Sequence, residues 1–457
     1  MSRRPRDPSF EALAARLNQG VRRRNARLHF RRTYPFGSDL TLRAYALGNG
    51  LELLLLPDPS APVVSLHTWF RVGSRDERPG KTGLAHLLEH LMFGGTRAHP
   101  PGEFDRLLEA AGAETNAATW TDWTFYYESL PASALGLALT LESDRMRRLV
   151  LRAGPVASEK EVVQNERRLA VEDDLGGLAA ERLFSMAFRG HPYGRPTIGW
   201  MQDIEGLEGE DCRAFYRRYY APNNATLVVV GKFDEGKLLA MIQEAYGGMA
   251  AASIPERRES AEPIQRAERR LTLHRPTPSP KVQLGYRAPA FGDPDWIALS
   301  VLVEILFGGR SSRMHRRLVR ELELCAELHG SLTPFAEPGL FEVWLAAREG
   351  VEDRVMLEAF DAEIEALRAA PLPESELERA RNQLELAFLR GLETAAGKAE
   401  QIGFHATVLR DPGAIFERLE ATQRVDLEEL HRVCRRYLRK SQRSIVRILP
   451  SAPTGAA

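Results

Sequence analysis

Five residues, His86-Leu87-Leu88-Glu89-His90, carry the clearest chemistry in the sequence. They sit within Gly83–Gly95, where Leu84, Leu87, Leu88, Leu91 and Met92 recur at helical spacing. On a helix, residues four apart share a face, one turn apart. His86 and His90 therefore present two imidazoles to a single Zn²⁺. Glu89, three residues after His86, is close enough to work on a water held by that ion. The order is H-x-x-E-H, the reverse of the commoner H-E-x-x-H. An ordinary helix with two histidines has the same five residues, so the rest of the chain must decide.

A catalytic zinc takes three protein ligands and keeps a fourth position for water. The run Ser158–Asp173 reads as a helix and carries Glu159, Glu161, Glu166 and Glu172. Glu159 and Glu166 are two turns apart on one stripe. One can bind metal while the other supports a ligand, and the spacing does not choose between them.

The elements that must hold these residues come from a chain of 457 residues, long enough for two domains. Its 62 basic and 62 acidic residues balance, which argues against nucleic acid or an anionic membrane as partner. Cys212, Cys325 and Cys434 are odd in number and far apart, so they form neither a disulfide framework nor a zinc pattern. No stretch approaches the roughly 20 apolar residues of a membrane span. Met1–Arg32 has no apolar run of signal-peptide type, so a cytoplasmic location is expected, with periplasm and mitochondrion left open.

Regular structure is expected to begin near Thr41. Leu51–Leu56, Val63–Val72, Asn116–Leu130 and Ala225–Gly231 read as strands, and Phe104–Ala111, Ala134–Leu149 and Leu178–Phe188 as helices. Ile254–Arg270 is polar and aperiodic, as a linker would be. Beyond it the pattern recurs. LMFGG at 91–95 returns as ILFGG at 305–309, and RRYYAPNNATLVVVG at 217–231 is echoed by RRYLRKSQRSIVRIL at 435–449. The expected fold is α+β: two homologous domains of about 220 residues, each a mainly antiparallel sheet packed with helices. The expected boundaries are a surface-lying leader over 1–40, the motif-bearing domain over 41–250, and a linker over 251–272. The homologous domain follows over 273–450, with a tail over 451–457. Matching Phe93 to Phe307 places Ser300, Val303 and Glu304 at the positions of His86, Glu89 and His90. The second copy keeps the helix and lacks the ligands.

With these motifs assembled, the sequence resembles the inverzincin (M16) metallopeptidases, which include pitrilysin, insulin-degrading enzyme and the mitochondrial processing peptidase. Their H-x-x-E-H is followed about seventy-six residues later by a metal-binding Glu, and Glu166 lies 76 positions after His90. GLAHLLEHLMFGGT (83–96), NAATWTDWTFYY (116–127), EKEVVQNERR (159–168) and HPYGRPTIG (191–199) fit as well. The resemblance implies that His86, His90 and Glu166 hold zinc, that Glu89 is the general base, and that Glu159 is the supporting acid. It further implies that Asn116 and Ala117 lie on an edge strand that pairs with substrate. The activity implied is zinc-dependent hydrolysis of peptides or unfolded polypeptide segments. The alternative is a non-catalytic assembly or processing subunit. Such relatives typically lose part of the motif, and all four positions are present here.

The sequence departs from the family at one place. Many members carry an Arg and a Tyr, seven apart, after a Gly-Gly…Ser-Ser-Arg-Leu string. In GGRSSRMHRRLVRELELCAEL (308–328) those positions hold Val319 and Ala326, or Arg320 and Glu327 in a shifted register. Neither residue is carried over. The chain resembles the zinc-bearing subunit of the short bacterial two-subunit type. A heterodimer with an Arg/Tyr-bearing homologue is expected, and a homodimer is the second choice.

Overall fold

A computed structural model of the chain describes residues 8–257 and 262–451. They form two compact units that are interleaved in sequence. The first comprises residues 8–165, 197–257 and 391–416, and the second residues 166–196, 262–390 and 417–451. The division near residue 165 falls inside one unbroken helix, Ala153–Arg167.

The first unit holds seven strands: β1 (Leu28–Phe36), β2 (Leu40–Leu47), β3 (Glu52–Pro57), β4 (Val63–Phe70), β5 (Glu114–Thr119), β6 (Thr124–Pro131) and β7 (Ala225–Gly231). They pair in the order β1-β2-β3-β7-β4-β6-β5, antiparallel throughout except for β3 against β7. β7 is buried along its whole length, as an apolar strand covered on both faces must be. Side chains alternate across each strand, so Val64, Leu66 and Phe70 of β4 join one core with Leu84, Leu87 and Leu88. Trp69, on the opposite face, meets the helix Ala395–Val408, which packs on β4 and β7. A Cβ on Gly403 of that helix would stand 2.0 Å from Trp69 Nε1, so only glycine lets the helix lie this close.

The second unit holds β8 (Arg269–Arg275), β9 (Lys281–Arg287), β10 (Cys325–Leu332), β11 (Leu340–Ala347) and β12 (Arg443–Pro450). Their order is β10-β11-β9-β12-β8, with β12 parallel to β8 and the other pairs antiparallel. Read from the other edge, this repeats the β3-β7-β4-β6-β5 part of the first sheet, including its single parallel pair. β4 and β9 begin at residues 63 and 281, and β7 and β12 at 225 and 443, a spacing of 218 in both cases. The α+β fold of two repeated, mainly antiparallel sheets packed with helices is thus present. The helix Leu175–Ala187 packs on β9 and β12, as Ala395–Val408 does on β4 and β7.

Several expectations need correction. Regular structure starts at Pro8 rather than near Thr41, and the stretch expected as a leader contains a helix (Pro8–Leu17) and β1. β1 carries paired arginines on an exposed edge, so it lacks the apolar alternation of a half-buried strand. β8 begins at Arg269, within the stretch expected as linker. Asn116–Leu130 is a hairpin, not one strand. Its turn is Trp120-Thr121-Asp122-Trp123, without Gly or Pro, and is fixed by Asp122 against Arg75 at 2.8 Å. The tail beyond residue 451 and residues 1–7 lie outside the described residues.

Candidate metal centre

The motif residues form a helix, Leu84–Leu91, for two local reasons. Its apolar residues Leu84, Leu87, Leu88 and Leu91 fill the core beneath, leaving His86, Glu89 and His90 half-buried on the other side. Its N-terminus is capped from outside: the Glu77 carboxylate accepts from the Gly83 and Ala85 N–H groups at 3.0 and 2.7 Å. That places a negative charge at the positive end of the helix dipole. Gly83 itself has φ +85°, and a Cβ there would meet the Ile198 carbonyl at 2.5 Å. Nothing in the motif spacing pointed to Glu77, whose role becomes visible only with the chain folded.

His86 and His90 stand with ring centroids 4.8 Å apart and planes at 77°. The second helix, Ala153–Arg167, buries Val156 and Val163 and brings Glu166 up to them. One nitrogen of each imidazole and one carboxylate oxygen of Glu166 all lie within 4.8 Å of one another. Among the described residues no other group of three His, Cys, Asp or Glu converges in this way. Two imidazoles and a carboxylate are a donor set of the kind catalytic zinc takes, so the residues present fit that ion. Glu159, two turns before Glu166, has Oε2 3.5 Å from His90 Nδ1. The structure thus brings His86, His90 and Glu166 together, with Glu159 beside His90.

Asn116 and Ala117 lie on β5, the edge strand of the first sheet, against which the motif helix packs. Asn116 is exposed, and its Oδ1 accepts from the Ala117 N–H at 2.8 Å. His67, His99 and His191 are not part of the cluster. His67 is buried on β4 beside Ser65, and burial pushes its pKa down to about 3. His99 faces Glu103, and His191 Nε2 lies 2.7 Å from Glu337.

Beneath the motif helix lies a charge network that the sequence did not announce. Arg145 is fully buried, 2.6 Å from Glu142 and 3.5 Å from Glu128, with its guanidinium over the Tyr126 ring. Burial first, then the neighbouring Glu142, push Glu128 well above the ordinary carboxylate range. Burial also raises the Tyr126 and Tyr220 hydroxyls, and the charge of Glu89 adds to both, so Glu89 faces this network electrostatically.

In the second unit, the helix Pro294–Phe307 holds Glu304 where the motif helix has His90. Glu304 is met by Arg379, at 3.7 Å, from the helix Glu374–Gly391. An ion pair thus stands in the second copy where the first gathers His86, His90 and Glu166. At the positions expected for an Arg/Tyr pair, Val319 packs on the second core and Ala326 is exposed on β10.

Residues 53–200 match the family model described as insulinase (peptidase family M16), and residues 206–384 the one described as peptidase M16 inactive domain. The zinc protease PqqE of Helicobacter pylori is 28% identical over 93% of this chain and 95% of its own length. The mitochondrial-processing peptidase subunit beta of Lentinula edodes is 25% identical over 86% of each chain. The crystal structure of a protease from Helicobacter pylori superposes with a TM-score of 0.86 at 27% identity, covering 90% of this chain and 99% of that one. Two consecutive family models, full-length zinc-protease relatives and a shared two-sheet fold identify the chain as a member of peptidase family M16.

Proposed function

We propose that this chain is a zinc-dependent endopeptidase acting on peptides or unfolded polypeptide segments. The observation that carries the reading is the convergence of His86, His90 and Glu166, with Glu89 on the same helix as the two histidines. Zinc bound there would supply a Lewis acid and lower the pKa of a coordinated water to about 7. His86 and His90 bind as neutral imidazoles, with Glu166 as the anionic ligand. Glu159, 3.5 Å from His90 Nδ1, orients that ring and favours the tautomer protonated on Nδ1. Glu89 takes the proton of the attacking water and returns it to the leaving amine. An extended substrate pairs with the free edge of β5 at Asn116 and Ala117. Main-chain pairing reads an extended backbone rather than side chains, so broad specificity follows.

The ligand assignment is tested by metal content. Glu166→Gln should lose zinc affinity by more than the roughly 10–100-fold expected of a supporting residue such as Glu159. A full zinc complement by elemental analysis of that variant would remove Glu166 from the ligand set. A non-catalytic assembly or processing subunit is the second reading, and the presence of His86, Glu89, His90 and Glu166 together weighs against it.

The active species is proposed to be a heterodimer in which a homologous subunit supplies the missing Arg/Tyr pair, with a homodimer as second choice. One relative is itself named as a subunit, which supports the idea. The chain should be weakly active alone on a quenched peptide and gain activity with that partner. Full activity of a monomer, sized in the same assay, would defeat it.

A further inference from the structure

The helix Ala395–Val408 ends at Leu409, and Arg410 follows with φ +61°. That left-handed conformation is common just past a helix C-terminus, where glycine adopts it without strain. Here the position holds an arginine, whose Cβ is strained in it. Such strain persists where the surroundings hold it, and it gathers at ligand sites.

The Arg410 side chain lines a cavity of about 360 Å³ formed with β1, β2 and β3, within the range of ligand pockets. Arg31, Arg32 and Glu52 share the lining, and Tyr34 and Leu54 supply an apolar wall. Ala44 and Ala46, small residues on β2, leave the volume open. Three arginines thus face one glutamate. Arg32 has Asp411 nearby at 3.6 Å, and Glu52 accepts from Thr226 Oγ1 at 3.3 Å. The guanidinium groups of Arg31 and Arg410 make no hydrogen bond or ion pair among the described residues. Burial holds the Arg410 pKa below its ordinary value, and the Glu52 carboxylate pulls it back only in part. The same arginine borders a neighbouring cavity of about 450 Å³ with Arg71. The first cavity lies at the β1 edge of the first sheet, with β7, β4 and β6 between it and β5.

We propose that this cavity binds a small ligand with an oxyanion head, phosphate or carboxylate, seated on Arg410 and Arg31 with its body against Tyr34. The site is separate from the metal centre and independent of the peptidase reading. A charge-assisted contact to a strained arginine explains why glycine does not occupy position 410.

The test uses the full chain, with inorganic phosphate and malonate as probes at constant ionic strength in chloride. Thermal unfolding and calorimetry are read for wild type, Arg410→Gly and Arg31→Gln. One or both anions should raise the wild-type Tm saturably. Phosphate acting alone identifies a phosphate-bearing ligand, and malonate acting alone a carboxylate. Arg410→Gly should melt at or above wild type without anion, because its strain is relieved, and should bind at least about tenfold more weakly. Arg31→Gln, on the exposed edge strand, should also weaken binding while melting as wild type. No saturable shift with either anion, or equal shifts in wild type and Arg410→Gly, would overturn the proposal.

Discussion

Glu89→Gln is expected to hold zinc as wild type does and to lose turnover by about 10²–10⁴. Gln is close to Glu in shape, so the helix Leu84–Leu91 and its two histidines should be undisturbed. What changes is the proton. A carboxylate accepts one at neutral pH and a carboxamide does not. The loss should fall mainly on kcat, since the role proposed for Glu89 is in bond making and breaking rather than in holding the peptide. Paired measurements of metal content and of kcat on one quenched peptide decide it. Turnover within about threefold of wild type, with zinc retained, would show that another group moves the proton.

The second large effect concerns stability. Arg145→Met should destabilise the first unit by about 3–5 kcal/mol. Among the described residues the Arg145 guanidinium is the only cation paired with Glu128 and Glu142, both fully enclosed. Removing it leaves two carboxylates facing each other in an apolar core formed with Phe93, Phe104 and Tyr126. Burial already holds one of them, Glu128, well above the ordinary carboxylate range, so uptake of a proton there relieves part of the cost. Adding Glu128→Gln and Glu142→Gln to Arg145→Met should restore much of the loss, because the penalty lies in the uncompensated charges. Urea unfolding of the single and triple variants reads this directly. A single variant within about 1 kcal/mol of wild type would mean that water reaches the site.

The candidate centre was legible in part because His86, Glu89 and His90 sit on one helical turn, where spacing alone fixes their relation. Glu166 was not legible in this way. Four glutamates share its helix, and only the resemblance to a known family singled it out before the structure brought its carboxylate to the histidines. The central strands were legible from apolar runs such as Leu227–Val230. The edge strands were not. β1 and β10 are half-exposed and interrupted by charge, so the pattern that marks a buried strand is missing. The Trp120–Trp123 turn escaped notice because ion pairs, rather than glycine or proline, hold it. The Glu128–Arg145–Glu142 group joins residues from a strand and a helix through burial, which no spacing rule records.

The placement of the helix Ala395–Val408 on β4 and β7 sets a timetable for biogenesis. The ribosome releases residues vectorially, at about 5–20 per second. After residue 257 has emerged, roughly 8–30 s pass before residue 408 follows. Throughout that interval the strands of the first sheet exist as polypeptide while Trp69 lacks its cover. The nascent chain therefore exposes an apolar sheet face until residue 408 has emerged, a form that holdase chaperones would recognise. A chain cut between residues 231 and 395 would carry His86, Glu89, His90, Glu166 and all seven strands of the first sheet, and still leave that face bare.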